Sequence, residues 1–312
     1  MKGFRTLAVA STATTYLVIF VGGLVRVAGA GLGCPDWPRC FGRWIPPTDV
    51  SQLPAGMDPS LFNFTLAWIE YSNRLAGMTC GLLIAATAIM AIRRFRKQKQ
   101  ILIPSIAAAL LVAFQGWQGS VVVASNLEPI VITVHMLLAL IIGCLLIYVV
   151  QQTYYLQHET DRKASYPAQL RYWITGLWVA ALTQVALGTQ IRQSLEVLAD
   201  QFPLSSGPIL LSQVGMFNHL HLTLGIIVAA GTFHLRSTIR SGHSKHSSLT
   251  NNVSTGIAGL VVVQLILGLS FMMIGIPAVA QVFHMWIASL YVGGVWILFS
   301  DVRQSSAAGA TK

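Results

Sequence analysis

The chain has 312 residues, of which 54% are hydrophobic and only 10% are charged. A soluble core of this size does not need so little charge, so the composition favours an integral membrane protein over a soluble one. The net charge of +10 suggests a nucleic-acid-binding protein as the alternative, but the clustering of the charges on one side of the predicted spans disfavours it.

Eight stretches are apolar enough to cross a bilayer, for which a helix needs roughly 20 residues. In chain order they are Leu7–Val25, Asn73–Ile92, Ile101–Ala124, Ile130–Val150, Trp173–Ile191, Met216–Leu235, Ile257–Ile276 and Ala278–Phe299. The first run follows a basic N-terminus, as in a secretory signal, but it is too long for a signal core and further spans follow, so we expect a retained helix. The absence of a long Arg- and Ser-rich presequence favours a prokaryotic plasma (inner) membrane over an organelle.

Lysine and arginine residues are distributed unequally between the two sides of these spans. Of the 20, fifteen lie on one side, including the cluster Arg93–Lys99. The other five are Arg26, Arg39, Arg43, Arg74 and Arg192. The richer side is therefore predicted to be cytoplasmic, with both termini on it, and no nucleic-acid partner is expected.

The segment Gly31–Arg43, GLGCPDWPRCFGR, connects the first two spans on the predicted outer side. Cys34 and Cys40 would lie there in an oxidising compartment, where thiols tend to pair. Since this loop has no histidine and no further cysteine, the pattern favours a disulfide over a two-cysteine zinc or redox site. Cys80 and Cys144 fall within spans and are interpreted as packing residues.

Several short patterns occur twice along the chain. Gln115, Gly119 and His135 have the spacing of Gln264, Gly268 and His284; Gly22–Arg26 resembles Gly188–Arg192, and Asn73–Gly77 resembles His221–Gly225. The sequence thus predicts an all-α integral membrane protein with eight transmembrane helices arranged as two repeated four-helix bundles. The halves are residues 1–156 and 157–312, joined by the polar loop Gln151–Arg171, and each half should contain one site.

Four of the eight histidines lie near the predicted outer face, namely His135, His219, His221 and His284. A histidine inside a membrane is costly and usually has a functional partner. His221 and His284 lie at similar depth in one half, which is typical of the two axial ligands of a b-type haem iron. Zinc would need further ligands. His219 lies on a different helical face from His221, and the other histidines, His158, His234, His243 and His246, are interpreted as cytoplasmic loop or helix-end residues.

The first half has His135 but carries Asn73 where the repeat aligns His221. An amide is a poor ligand for haem iron, so we expect an open or weakly filled coordination position there, which suits oxygen activation. Glu70 lies one turn before Asn73 and would face the same cavity as an acid. A helix N-terminal acid that favours the macrodipole is an equally good interpretation of Glu70.

Three arginines, Arg26, Arg74 and Arg192, recur at the outer ends of predicted helices. Arginine binds carboxylates through two parallel hydrogen bonds, which makes haem propionates candidate partners. Interfacial anchoring is the alternative. The recurrence of Arg26 as Arg192 favours a site role.

The chain resembles the haem A synthase family, membrane enzymes of cytochrome oxidase assembly. The resemblance rests on VGGLVRVAGAGLGCPDWPRCFGR (Val21–Arg43), WIEYSNR (Trp68–Arg74), the QGWQG…TVHM segment (Gln115–Met136) and VFHMW (Val282–Trp286). It runs over essentially the whole chain, and the first of these motifs is quite specific.

This resemblance implies oxidation of the C8 methyl group of haem O to the formyl group of haem A, by successive hydroxylations that need electrons and dioxygen. It implies a haem b (iron) held by His221 and His284 that relays electrons. It also implies a haem O site in the first half, with His135 as ligand and Glu70 as catalytic carboxylate, beside the Cys34–Cys40 pair. Candidate partners are a membrane electron donor, haem O synthase, cytochrome oxidase assembly factors and a second copy of the chain.

One position departs from the family's acidic motif, Glu-x-x-His-Arg, which reads Glu70-Tyr-Ser-Asn73-Arg74 here. The departure leaves open a five-coordinate iron or a paralogue that acts differently. In addition, the segment Gln193–Gly215, predicted to be the second outer loop, lacks the cysteine pair that some members carry. Two other classes are alternatives: a non-catalytic b-type membrane cytochrome that transfers electrons from quinol, and a haem or small-molecule transporter. The difference between the halves favours the enzyme, because an electron carrier would more naturally keep both histidine pairs.

Overall fold

The computed structural model describes residues 2–156, 166–241 and 248–309, so His158, His243 and His246 lie outside the described residues. Within these ranges the chain forms nine α-helices and no β-sheet. The helices are α1 Lys2–Val27, α2 Phe64–Arg94, α3 Lys99–Ala124, α4 Pro129–Tyr155, α5 Ala168–Gln201, α6 Gly207–Gln213, α7 Met216–Ser241, α8 Ser248–Met273 and α9 Ala278–Gly309.

All of these helices except the short α6 are long and apolar enough to cross a membrane. This confirms the all-α fold class and the eight predicted spans, and it makes the chain a multi-pass membrane protein. The repeated-bundle arrangement of the spans stays a prediction.

Helix α2 begins at Phe64, nine residues before the predicted start at Asn73. The side chain of Asn63 caps it by accepting a hydrogen bond of 3.1 Å from the Leu66 N–H, which satisfies one of the free donors of the first turn. The predicted start was wrong because the charged Glu70 interrupts the apolar pattern before Asn73. In the structure Glu70 lies inside the helix and, with Arg74, bonds to the preceding loop.

The predicted outer loop Gln193–Gly215 is largely helical, which corrects the sequence interpretation. Helix α5 continues to Gln201, and α6 follows after a short turn. Ile191 and Leu195 of α5 form a buried cluster with Leu210 of α6. Helix α8 ends at Met273 rather than at the predicted Ile276.

The described residues divide into two compact units, residues 2–146 and the described part of residues 147–309. The boundary between these units lies within α4, and the predicted division after residue 156 stays a prediction. The last turns of α4 belong with the second unit because Gln151 donates a hydrogen bond to the Ile297 carbonyl of α9, at 3.1 Å, and Tyr155 bonds to Asp301.

In the first unit, α2 packs against both α1 and α3. A buried cluster of Cys80, Ile84, Ala108, Ile142 and Leu146 joins α2, α3 and α4. Cys80 and Cys144 are both buried and lie outside the disulfide, in agreement with their predicted packing role.

In the second unit, α5 packs against α7 and α9, and α8 packs against the same two helices. The end of this unit away from His221 and His284 is held by the buried Asp301, whose carboxylate accepts hydrogen bonds from Tyr155, Tyr166 and Thr250.

Candidate functional site

His221 and His284 lie side by side in the second unit, in the second turns of α7 and α9. Their ring centroids are 6.4 Å apart and their planes are inclined by 54°. Two imidazoles that share one metal, each with a nitrogen at about 2 Å from it, have ring centroids roughly 6 Å apart. The observed spacing therefore admits one metal ion between the two rings.

The donor set of this pair fits a haem iron better than a bare metal ion. No group of three or more His, Cys, Asp or Glu side chains comes together among the described residues, so protein side chains alone would supply two ligands. Haem supplies the remaining ligands from its own macrocycle and takes two axial imidazoles. The Nδ1 atom of His284 is buried and has no hydrogen-bond partner within the described ranges.

In the first unit, His135 lies in the second turn of α4 and is held by Gln118 of α3. The Gln118 amide donates to the Val131 carbonyl at 2.8 Å, so its oxygen faces the imidazole, where it lies 2.6 Å from Nδ1. Nδ1 therefore carries the proton, and Nε2 keeps a lone pair. Histidines that bind a metal are commonly fixed in this way.

Each of the three rings packs over a glycine on a neighbouring helix. A Cβ atom added at Gly119 would lie 3.6 Å from Cε1 of His135. The corresponding distance is 3.5 Å from Gly188 to His221 and 3.9 Å from Gly268 to His284. Side chains larger than a methyl group would displace these rings.

Asn73 occupies a fourth position of the same kind. A Cβ atom added at Gly22 would lie 4.0 Å from its Oδ1 atom. That oxygen is buried and has no partner among the described residues. The structure thus places Asn73 against a glycine, as the three histidines are placed, in agreement with its alignment to His221.

Glu70 and Arg74 connect α2 to the outer loop rather than projecting freely. Glu70 is 4% exposed; its carboxylate accepts a hydrogen bond of 2.7 Å from the Cys34 N–H and pairs with Arg74. Since α2 begins at Phe64, Glu70 lies beyond the first helical turn, so the interpretation as a helix N-terminal acid is wrong.

The N–H groups of the Arg74 guanidinium are all hydrogen-bonded to this loop and to Glu70. Nη1 donates to the carbonyls of Asp36 and Arg39, both at 2.8 Å, and Nη2 donates to the Cys34 carbonyl at 3.3 Å. Nε and Nη2 also bond to Glu70. All five N–H groups are engaged, so Arg74 could reach a haem propionate only by releasing a loop contact.

Cys34 and Cys40 form the predicted disulfide, with Cα atoms 4.7 Å apart. Both are buried with Phe41 against Ala67 of α2. Asp36 holds the turn by accepting hydrogen bonds from the N–H groups of Phe41 and Gly42, at 2.6 and 2.8 Å. The disulfide loop is therefore packed onto the end of α2 that carries Glu70.

The other two candidate arginines lie in the last turn of α1 and toward the end of α5. Arg26 is half-buried. Arg192 is half-buried as well, pairs with Glu196 at 3.1 Å, and has a buried Nε atom without a partner in the described part of the chain. A buried guanidinium N–H of this kind is suited to an anionic group such as a propionate.

The sequence of the chain was compared with models of known protein families. The chain matches the model of the cytochrome oxidase assembly protein family COX15-CtaA over residues 5–295. The chain belongs to this family.

Curated relatives of the chain include three proteins named heme A synthase. It is 34% identical to that of Shewanella oneidensis over 128 residues, 39% of this chain and 37% of the relative. It is 32% identical to that of Geobacillus kaustophilus over 134 residues (43% and 37%) and 28% identical to that of Lysinibacillus sphaericus over 149 residues (48% and 44%). The aligned segments thus span less than half the length of these relatives.

In this member of the cytochrome oxidase assembly family, sequence reasoning missed two site residues, Gln118 and Gln184. Gln184 donates a hydrogen bond of 2.7 Å to the His221 carbonyl. A signal was present, since Gln184 and Gly188 have the same Gln-x-x-x-Gly spacing as Gln115–Gly119 and Gln264–Gly268. Gln118 has no such signal, because Leu267 occupies the aligned position in the second half.

Proposed function

We propose that this member of the cytochrome oxidase assembly family is a haem A synthase, an oxidoreductase that converts haem O into haem A. The match to the family model over residues 5–295 carries the proposal, and the relatives named heme A synthase support it. The C8 methyl group becomes a formyl group through two hydroxylations followed by loss of water. Each hydroxylation consumes one dioxygen, two electrons and two protons and releases one water.

The second unit would hold a haem b between His221 and His284, with Arg192 as a propionate partner. The 6.4 Å separation of the ring centroids supports this pair. A haem held by both histidines would supply electron transfer rather than oxygen chemistry. The protein's contribution is to hold both imidazoles at that spacing inside the bundle.

The first unit would hold the haem O substrate through His135, whose Nε2 lone pair is left available by Gln118. Asn73, Arg74 and Arg26 are the other proposed residues of this site. Because an amide is a poor ligand for haem iron, Asn73 would leave the iron held by His135 alone, whereas a histidine at this position would add a second ligand.

Glu70 is proposed as the catalytic carboxylate of the first unit. Glu70 also has a structural role, because its contacts with the Cys34 N–H and with Arg74 attach the disulfide loop to this end of α2. A hydroxylation that consumes protons requires an acid near the reacting face.

The proposed location is a prokaryotic plasma (inner) membrane, with both termini cytoplasmic and both haem sites near the outer face. The fifteen-to-five distribution of the 20 lysines and arginines supports this orientation. Haem O and dioxygen are the proposed substrates. A membrane electron donor, haem O synthase, assembly factors of cytochrome oxidase and a second copy of the chain are the proposed partners.

The experiment that tests the function is co-expression of the chain with a source of haem O in a host that makes no haem A, followed by haem extraction and chromatography. We expect haem A from the native chain and none from His135→Ala, which should still retain haem b in the second unit. Haem b without haem A from the native chain would favour the b-type cytochrome and overturn the proposal.

A further inference from the structure

Three glutamines hold the three site histidines through the backbone. Gln115 donates to the His135 carbonyl at 2.8 Å, and Gln264 donates to the His284 carbonyl, also at 2.8 Å. Gln184 donates to the His221 carbonyl at 2.7 Å. In each case the glycine that faces the imidazole lies four residues after the glutamine, at Gly119, Gly268 and Gly188. One helical segment thus contacts both the ring and the backbone of each histidine.

These contacts fix the orientation of each amide. A carbonyl can only accept, so the NH2 group must face it, and the amide oxygen points away. The Oε1 atoms of Gln115, Gln184 and Gln264 are all buried without a hydrogen-bond partner in the described parts of the chain. Burying an amide oxygen unpaired is costly. The same unpaired amide oxygen recurs at all three glutamines. This recurrence indicates that the hydrogen bond to the histidine carbonyl has a function that offsets the cost.

The residue four positions after each histidine makes room for the glutamine. A helical carbonyl already accepts from the N–H four residues later, so the glutamine must approach beside that residue. These residues are small, namely Ala139, Gly225 and Ala288. At Gly225 an added Cβ would lie 3.0 Å from Nε2 of Gln184, which leaves little space for a side chain.

The Asn73 position retains the glycines but lacks the rest of this arrangement. Gly22 faces Asn73, and Gly77 follows it by four residues, as Gly225 follows His221. Val18, four residues before Gly22, occupies the position of Gln184 and packs against the apolar cluster around Cys80. Both the histidine and its glutamine are therefore absent at this position.

We propose that Gln115, Gln184 and Gln264 are positioning residues, which orient the three histidines toward haem iron by holding the carbonyl of each ligand residue. The Asn73 position lacks both the ligand histidine and its positioning glutamine, so it would leave a coordination position of the iron unfilled. The proposal rests on the proposed function only in taking haem iron as the histidines' ligand.

The first test uses the full-length chain purified in detergent and titrated with hemin. Gln184→Met and Gln264→Met keep the side-chain length and remove the N–H donor; Gln169→Met, at the exposed start of α5, is the matched control. All of these chains also carry His135→Ala, which removes the first unit's histidine, so that only the haem of the second unit is observed. In this background, with and without the control substitution, we expect a low-spin ferric haem that excludes carbon monoxide after reduction. In the two variants we expect a high-spin fraction, carbon monoxide binding and about tenfold weaker hemin affinity. Native spin state and carbon monoxide exclusion in both variants would overturn the proposal.

The second test introduces a histidine and its glutamine at the Asn73 position, where both are missing. It does not depend on the stability of the glutamine-to-methionine variants. In a His221→Ala/His284→Ala background, which removes the second unit's ligands, Asn73→His is compared with and without Val18→Gln. We expect a mixture of spin states from Asn73→His alone and a uniformly low-spin haem when Val18→Gln is added. Val18→Met, which fills the same space without a donor, should give no gain. If Val18→Gln adds nothing, the proposal fails.

These measurements separate the proposal from the proposed function. A chain that makes no haem A but shows the expected hemin spectra refutes the synthase function and leaves the positioning role intact. A native chain that gives no low-spin haem with hemin refutes the positioning role, whatever the outcome of the haem A assay.

Discussion

Two Glu–Arg pairs in this chain have the same spacing of four residues and differ in burial. The Glu70 and Arg74 side chains are 5% and 14% exposed, whereas those of Arg192 and Glu196 are 24% and 37% exposed. The first pair also bonds to the backbone of the disulfide loop. Two ion pairs with equal spacing along a helix can therefore contribute differently to the free energy of unfolding.

We expect Arg74→Ala to lower the free energy of unfolding by about 3 kcal/mol, because the Glu70 carboxylate is then buried without its partner. Arg192→Ala is the matched control and should cost less than about 1 kcal/mol, as is typical of more exposed pairs. Chemical denaturation of both variants in detergent measures the difference. Equal losses would contradict the assignment of Arg74 as the residue that holds the loop.

At the scale of elements, the disulfide loop and α2 approach each other more closely than any side chain allows. A Cβ atom added at Gly33 would lie 2.4 Å from the Leu66 carbonyl oxygen. The loop can therefore pack on the first turns of α2 only with glycine at this position. The contact brings Cys34 to Glu70.

Gly33→Ala should lower the free energy of unfolding by about 2 kcal/mol, since the loop must shift away from α2. Gly116→Ala in α3 is the control, because no atom lies within 4 Å of its added Cβ. That variant should be neutral or stabilising by up to about 1 kcal/mol. Thermal and chemical unfolding of both variants checks the prediction, which fails if Gly33→Ala is as stable as the native chain.

The far end of the second unit depends on another element-level contact. Tyr166, just before α5, donates to Asp301 of α9 at 3.1 Å and bonds to Thr250 of α8 at 2.8 Å. It thereby connects the segment before α5 to the start of α8 and to α9.

Tyr166→Phe should cost about 2 kcal/mol, as expected for a lost hydrogen bond to a charged group. The control is Tyr172→Phe, because Tyr172 is 68% exposed and its hydroxyl should contribute little. The haem spectra should not change, because the histidines lie in the opposite ends of their helices. A spectral change in Tyr166→Phe would contradict the separation of this polar cluster from the site.

At the scale of the whole molecule, the sequence predicts the spans well, since length and apolar content alone decide them. It fails at the start of α2 and over α6, where tertiary contacts decide the structure. Glu70 lies outside the predicted span Asn73–Ile92, because nothing in the local pattern shows that a distant loop satisfies its carboxylate. The Gln–Gly–His spacing was visible, but its physical reason, a bond to the histidine carbonyl, required the packing of two helices.

We propose that the two units carry unequal sites, one with two histidines and one with a single histidine. Electron paramagnetic resonance of the purified ferric protein tests this most directly, in the native chain and in His221→Ala, His284→Ala and His135→Ala, with the exposed His219→Ala as control. We expect one low-spin signal that is lost in His221→Ala and His284→Ala and kept in His219→Ala. We also expect one high-spin signal that is lost only in His135→Ala. A low-spin signal that survives in His284→Ala, or two low-spin signals in the native chain, would contradict it.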